Sequence, residues 1–172
     1  GLQPQIIDID VFGLANSFEF TSIINGELNT DGKIIALVDV GGNKTSINIM
    51  NGNNSLFTRE IYMGGNDFTS YIAKKQGIEM FESEQLKRNP GERIDEVTEA
   101  VLPGIEEIGS EINLSFDYYE NQYESKVEEI YLSGGGGRLQ GLDVALERIF
   151  ERRTILWSPV AGISVDSDMV DT

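Results

Sequence analysis

The chain of 172 residues carries 13 Lys and Arg against 29 Asp and Glu, a formal charge of −16, and has no His and no Cys. Without imidazole or thiol there is no Ser-His-Asp or Cys-His catalysis, no His or Cys zinc site, no disulfide and no thiol redox chemistry. Carboxylates, hydroxyls, Lys, Arg, backbone amides or a hard metal remain, and the scattered basic residues oppose nucleic-acid binding.

A hydrophobic content of 40% at this length supports one domain with room for a small subdomain. The longest apolar runs, such as Ile34 to Val40, fall far short of the ~18 to 20 residues that span a bilayer. Absence of Cys suits a cytosolic setting. A first residue of Gly rather than Met points to a piece of a longer protein.

In chain order, Gln5 to Asp10 reads as a short strand, and Phe12, Leu14, Ala15 and Phe18 supply one face of a helix to about Phe20. A polar break covers Asn25 to Gly32. Ile34 to Val40 then reads as a strand buried on both faces, with Asp39 near its end, and Gly41-Gly42-Asn43-Lys44 as a turn. Thr45 to Met50 and Leu56 to Met63, separated by Asn51-Gly52-Asn53-Asn54, complete an antiparallel meander of three strands.

Gly64-Gly65 breaks the meander, and Asn66 or Asp67 is the expected cap of a helix stopping at Gly77. A short helix, Ser83 to Arg88, is closed by Asn89-Pro90-Gly91. Ile94 to Tyr123 carries the clearest helical stripe, from Val97 through Ile108 to Tyr123, with Pro103 either kinking the helix or starting its second part. Val127 to Leu132 reads as a strand, Ser133 to Gly137 as a glycine turn, Leu139 to Phe150 as a helix and Thr154 to Trp157 as a last strand. The order is that of an α/β fold with a mixed sheet.

Two glycine units stand out. In Val38-Asp39-Val40-Gly41-Gly42-Asn43-Lys44-Thr45-Ser46, the glycines could let backbone amides approach a phosphate while Asp39 holds a Mg²⁺-bound water, or they could simply serve a hairpin turn. In Leu132-Ser133-Gly134-Gly135-Gly136-Gly137-Arg138-Leu139, a strand enters a helix through four glycines, which admits a ligand ring or phosphate to bare backbone or makes a flexible connection. Four glycines cost about 0.5 to 1 kcal/mol each relative to Ala, a heavy penalty for a passive connector.

Neither unit matches a P-loop or a G-x-G-x-x-G fingerprint. Glu84-x-x-Lys87-Arg88 on a short helix suits either ribose hydroxyls or a surface ion pair. Tyr118, Tyr119, Tyr123 and Trp157 read as packing aromatics.

Taken together and in this order, these elements resemble the second half of the actin-like ATPase superfamily, whose fold is ribonuclease H-like. The run Phe57-Thr58-Arg59-Glu60-Ile61-Tyr62-Met63-Gly64-Gly65-Asn66 and the ending Trp157-Ser158-Pro159-Val160-Ala161-Gly162 to Asp166 are most similar to the PilM family of type IV pilus assembly proteins, with the cell-division protein FtsA next. The resemblance spans Leu2 to about Asp168.

It implies that Gly41, Gly42, Asn43, Lys44 and Thr45 bind phosphate. By the same matching, Glu84, Lys87, Gly134, Gly135, Gly136, Arg138 and Leu139 hold adenosine, and Asp39 holds Mg²⁺ through water. ATP and Mg are the implied cofactors.

The superfamily's first phosphate motif is missing, and so is the final helix expected after Asp171. The resemblance therefore implies residues 1–32 closing a first actin-like domain and residues 33–172 forming the second, with a small helical insertion near 66–100. Weak nucleotide binding and no turnover are expected of such a half site. The implied role is at the cytoplasmic face of the inner membrane, engaging the cytoplasmic tail of a PilN-type protein and other pilus platform proteins. A nucleotide-free scaffold in a pilus or type II secretion platform is the alternative, a sugar or acetate kinase is a third reading, and a homo-oligomer remains open.

Overall fold

Ile34–Val40 forms β1, the middle strand of a five-stranded sheet, because an apolar run with no turn residue can be buried on both faces. The structure, a computed structural model, describes residues 3–6, 8–25 and 32–161. The expected break at Asn25 to Gly32 and the ending beyond Ala161 lie almost wholly outside the described residues. β1 pairs antiparallel with β2 (Thr45–Asn51), which pairs antiparallel with β3 (Asn54–Ile61). On its other side β1 runs parallel to β4 (Glu129–Ser133), and β4 parallel to β5 (Arg153–Leu156). The strand order is β3-β2-β1-β4-β5, and Asp39 at the end of β1 lies opposite both Ser46 and Ser133.

Each face of the sheet has its own cover. Ala36, Val38 and Val40 point into the larger core with Ile47, Ile49, Ile130 and Leu132. There they meet α2 (Gly65–Gln76), α4 (Ile94–Tyr123) and α5 (Leu142–Phe150). Ile35 and Leu37 point the other way, with Met50 and Tyr131, against Ala15 and Phe18 of α1 (Asp10–Asn25). Trp157 closes this second layer: its ring meets Phe18 edge-on at 5.1 Å, and its Nε1 donates to Thr21 Oγ1 at 3.0 Å.

The helix α4 is continuous through Pro103 and buries the expected stripe from Val97 through Val101, Ile105, Ile108, Ile112 and Phe116 to Tyr119, while its last member, Tyr123, is exposed. Two glycines on that stripe set helix spacing. A Cβ on Gly104 would stand 2.8 Å from the Tyr71 ring of α2, and one on Gly109 2.8 Å from Ile149 of α5. The neighbouring helix α3 (Met80–Arg88) lies against α2 and begins three residues before the expected Ser83.

The expected strand at Gln5 to Asp10 is corrected. None of its described residues is in a strand, and Asp10 already starts α1. Asp8 and Asp10 accept hydrogen bonds from the next residues' amides, and Ile9 O accepts from Phe12 and Gly13, so the chain turns into a helix instead of extending. The last helix also starts later than expected, at Leu142, because Gly136–Arg138 forms a short 3₁₀ turn and Gly141 adopts φ +80°. The cap of α2 is Gly64, whose N–H donates to Asp67 Oδ2 at 2.8 Å, so Asp67 acts from inside the first turn.

Candidate functional site

Three backbone segments converge at the end of β1: the β1–β2 turn, the start of α2 and the glycine run after β4. The N–H groups of Gly65 and Asn66 donate to the carbonyls of Gly41 and Gly42, each at 2.8 Å, and Asn66 Nδ2 donates to Asn43 Oδ1 at 2.8 Å. Part of the usual deficit of acceptors at a helix N-terminus is therefore filled by the turn itself. The amides of Gly42 and Asn43 have no acceptor among the described residues.

Several glycines are dictated by this convergence. A Cβ on Gly64 would lie 2.6 Å from Gly41 O, and one on Gly136 2.7 Å from Val40 Cγ1 and 2.9 Å from Gly41 O. Gly134 is constrained twice, by φ +89° and by Val40 O only 2.3 Å from any added Cβ. Gly135 differs from all of these. Its φ of −65° is open to any residue, and an added Cβ would meet nothing within 4 Å. Gly42 would likewise accept a Cβ, at ordinary contact with Asn66.

Both permissive glycines line the same cleft, of about 550 Å³, between the convergence and α3. Lys87, Arg88 and Arg138 also line it against a single carboxylate, Glu84, so a chain of net charge −16 gathers three of its 13 cations here. Lys87 Nζ donates to Gly65 O and Thr69 Oγ1, each at 2.7 Å, and pairs with Glu84 at 2.7 Å. Glu84 also accepts from Thr69 Oγ1 at 2.6 Å and Arg88 Nε at 2.7 Å. This network ties α3 to the first turn of α2, and hence to the cleft floor.

Burial pushes the Glu84 carboxyl up, but hydrogen bonds from Lys87, Thr69 and Arg88, with the Lys87 charge, outweigh it and bring it down to about 2. A carboxyl lowered in the folded state stabilises the fold above its unfolded value and loses that contribution as pH falls through the folded one. The stability advantage of the wild type over Glu84→Gln is therefore expected to shrink between about pH 4.5 and about pH 2. Acid unfolding of the two proteins followed by circular dichroism checks this; a constant difference across that window contradicts it.

A second cavity, of about 360 Å³, opens on the α1 side of the same turn. Asp10, Asp39, Lys44 and Ser46 line it, and Gly42 lines both cavities. Asp39 Oδ1 accepts from Ser133 Oγ at 2.8 Å, which fixes the carboxylate at the cavity edge. Among the described residues, no group of three or more acidic side chains is placed to hold a metal ion. A single carboxylate still suits Mg²⁺, which keeps most of its waters and takes further oxygens from phosphates.

Of the residues predicted from sequence, Gly42, Glu84, Lys87, Gly135, Gly136, Arg138 and Leu139 line the larger cleft, and Asp39, Gly41, Gly42, Asn43 and Lys44 the smaller. Thr45 and Gly134 line neither. The Thr45 hydroxyl donates to Met63 O at 2.8 Å inside the fold, and Gly134 packs against the end of β1. Asn66, Pro90 and Gln140 also line the larger cleft, although nothing in the sequence assigns them to a ligand site. Asn66 follows directly on Gly64-Gly65, the one sequence signal that could have pointed to it.

The fold is shared with solved structures. A PilM-PilN type IV pilus biogenesis complex contains a chain 24% identical that superposes with a TM-score of 0.81, over all of this chain and 48% of that one. MreB5 of Spiroplasma citri bound to ADP is 16% identical, with a TM-score of 0.67 over 92% of this chain and 57% of that one. Ta0583, an archaeal actin homolog in complex with ADP, is 16% identical, with a TM-score of 0.57 over 90% and 52%. The chain thus spans about half the length of these proteins, and its fold is actin-like. The family described as type IV pilus assembly protein PilM matches residues 1–172, and the chain belongs to that family.

Proposed function

We propose that the chain supplies one wall of an ATP site in a type IV pilus assembly protein. The carrying observation is the pair Gly42 and Gly135. Neither needs to be glycine for its own backbone or neighbours, yet each faces the cleft where a ligand would lie flush on main chain. Adenosine is assigned to the larger cleft, among Glu84, Lys87, Gly135, Gly136, Arg138 and Leu139. The phosphates are assigned to the turn that parts the two cavities, on the amides of Gly42 and Asn43 with Gly41 and Lys44 beside them.

Asp39 at the far side of that turn is the residue to hold Mg²⁺ through water. The ion, when bound, offsets phosphate charge. Thr45 and Gly134 act from behind this surface, one tying β2 to Met63 and the other fitting the glycine run against β1.

Residues 33–172 are read as the second actin-like domain, with α2 and α3 as its helical insertion, and residues 1–32 as the close of the first. Family membership supports a role at the cytoplasmic side of the inner membrane, engaging the tail of a PilN-type protein. No described helix is long and apolar enough to cross a membrane.

Titration of the chain with a fluorescent ATP analogue and Mg²⁺, alongside Gly135→Val, tests the ATP reading. The expected result is saturable binding by the wild type and at least tenfold weaker binding by Gly135→Val, with the fold retained because the added Cβ meets nothing within 4 Å. Absence of saturable binding by the wild type, or equal binding by the variant, overturns it, and the nucleotide-free scaffold then becomes the better reading.

A further inference from the structure

Lys44 of the β1–β2 turn reaches α1 with its side chain. Its Nζ donates to Asp10 Oδ2 at 2.7 Å and to Glu60 Oε1 at 2.5 Å, so one ammonium joins the first residue of α1, the turn and the end of β3. All three side chains are well exposed, and ion pairs of this kind are weakly held. Asp10 and Lys44 also line the smaller cavity together with Asp39, Gly42 and Asn43. An anion placed there competes directly with the two carboxylates for Lys44.

The two ends of α1 are held very differently. Its second half is fixed by Phe18 in the core, by Thr21 accepting from Trp157, and by Ser17 donating to Pro159 O. Among the described residues the first turn has one polar tie to the rest of the fold, Asp10 to Lys44, besides the buried side chain of Val11 and the apolar contact of Leu14 at the cavity wall. Asp10 keeps its local bond from the Val11 N–H whether or not Lys44 is present, so on release of Lys44 the turn can still form but opens more often.

We propose that a polyphosphate entering the smaller cavity takes Lys44 away from Asp10 and frees the first turn of α1 from the sheet. The inference rests on the ATP reading above and adds to it a mechanical output: occupancy of the turn is transmitted to the segment leading into α1. Binding and release are then linked reciprocally. Removing the carboxylate that competes for Lys44 tightens binding, by the same factor that binding weakens the tie.

Hydrogen–deuterium exchange over residues 8–14, with and without Mg-ATP or Mg-tripolyphosphate, reads the tie directly. Fluorescence titration of the wild type, Asp10→Asn, Lys44→Met and the double variant reads the linkage. In the wild type, ligand is expected to raise exchange in residues 8–14 at least threefold. In Asp10→Asn and Lys44→Met, exchange should be high already and change little.

Asp10→Asn should bind at least threefold tighter than the wild type, and that gain should vanish in the Lys44→Met background. A gain that persists without Lys44, or that is reproduced by Asp8→Asn, reflects removal of negative charge alone and overturns the proposal. Saturable binding with unchanged or lowered exchange also overturns it while leaving the ATP reading intact. Failure of both ligands to bind overturns both.

Discussion

Gly134→Ala is expected to destabilise the fold by about 3 to 4 kcal/mol, combining ~1 to 2 for a left-handed backbone with ~1 to 3 for overpacking. The added carbon has nowhere to go. At φ +89° it would sit 2.3 Å from Val40 O, 2.7 Å from Val40 C and 2.9 Å from Asp39 Oδ1. The obstacle is the main chain of the central strand, which cannot swing aside as a side chain could. For a chain of this size the loss corresponds to a fall in Tm of roughly 10 °C, at about 2 to 4 °C per kcal/mol. Gly135→Ala, one residue along, is expected to shift Tm by less than about 2 °C. Thermal unfolding of the two variants side by side tests the distinction, and similar values for both would contradict it.

Lys87→Ala is expected to have the second largest effect, about 2 kcal/mol of stability together with loss of nucleotide binding. The ammonium spends its donors on Gly65 O, Thr69 Oγ1 and Glu84, and its side chain is only 12% exposed. Removing it leaves the partly buried Glu84 carboxylate with only Thr69 and Arg88, and such uncompensated groups account for most of the loss when one member of a pair is deleted. The figure is set at the low end because Glu84 retains 27% exposure.

Urea unfolding of Lys87→Ala, Glu84→Gln and the double variant separates the causes. If Lys87 acts by holding α3 to α2, Glu84→Gln added to Lys87→Ala recovers part of the stability, because the stranded charge is gone. If Lys87→Ala unfolds like the wild type, the network has no structural weight and any binding loss comes from direct contact with the ligand.

The parts of the fold legible in the sequence are those where one physical signal dominates. The apolar run Ile34–Val40 and the thirty-residue stripe Ile94–Tyr123 have the same bounds in the structure as in the sequence reading. Long periodic segments carry many concordant residues, so no single neighbour can shift their ends. Gln5 to Asp10 carries a weak alternation and two aspartates that bond their own backbone, and the local bonds prevail.

The candidate site was legible in outline for the same reason that its detail was not. Glycine in a sequence says that a side chain is unwanted without saying what would meet it. Only the packed structure separates Gly134, excluded by Val40 O, from Gly135, which faces open cleft. Lys44 is similar: the family resemblance implies a phosphate contact, whereas its pairing with Asp10 and Glu60 depends on two elements that pack from opposite directions in the chain. Pro90 and Gln140 enter the cleft from loops, where periodicity carries no information.

The floor of the cleft is built from carbonyls and amides of three crossing segments, and this gives the site an unusual tolerance. Side chains around its rim outside the Glu84–Lys87 network can be exchanged without altering the shape underneath, whereas a single methyl at Gly64, Gly134 or Gly136 forces the segments apart. A saturation mutagenesis scan should therefore show a landscape of terraces and cliffs. Chemical identity at Arg138 or Gln140 would tune affinity by degrees, while at the three crossing glycines the first added carbon decides the outcome and the choice of larger residue hardly matters.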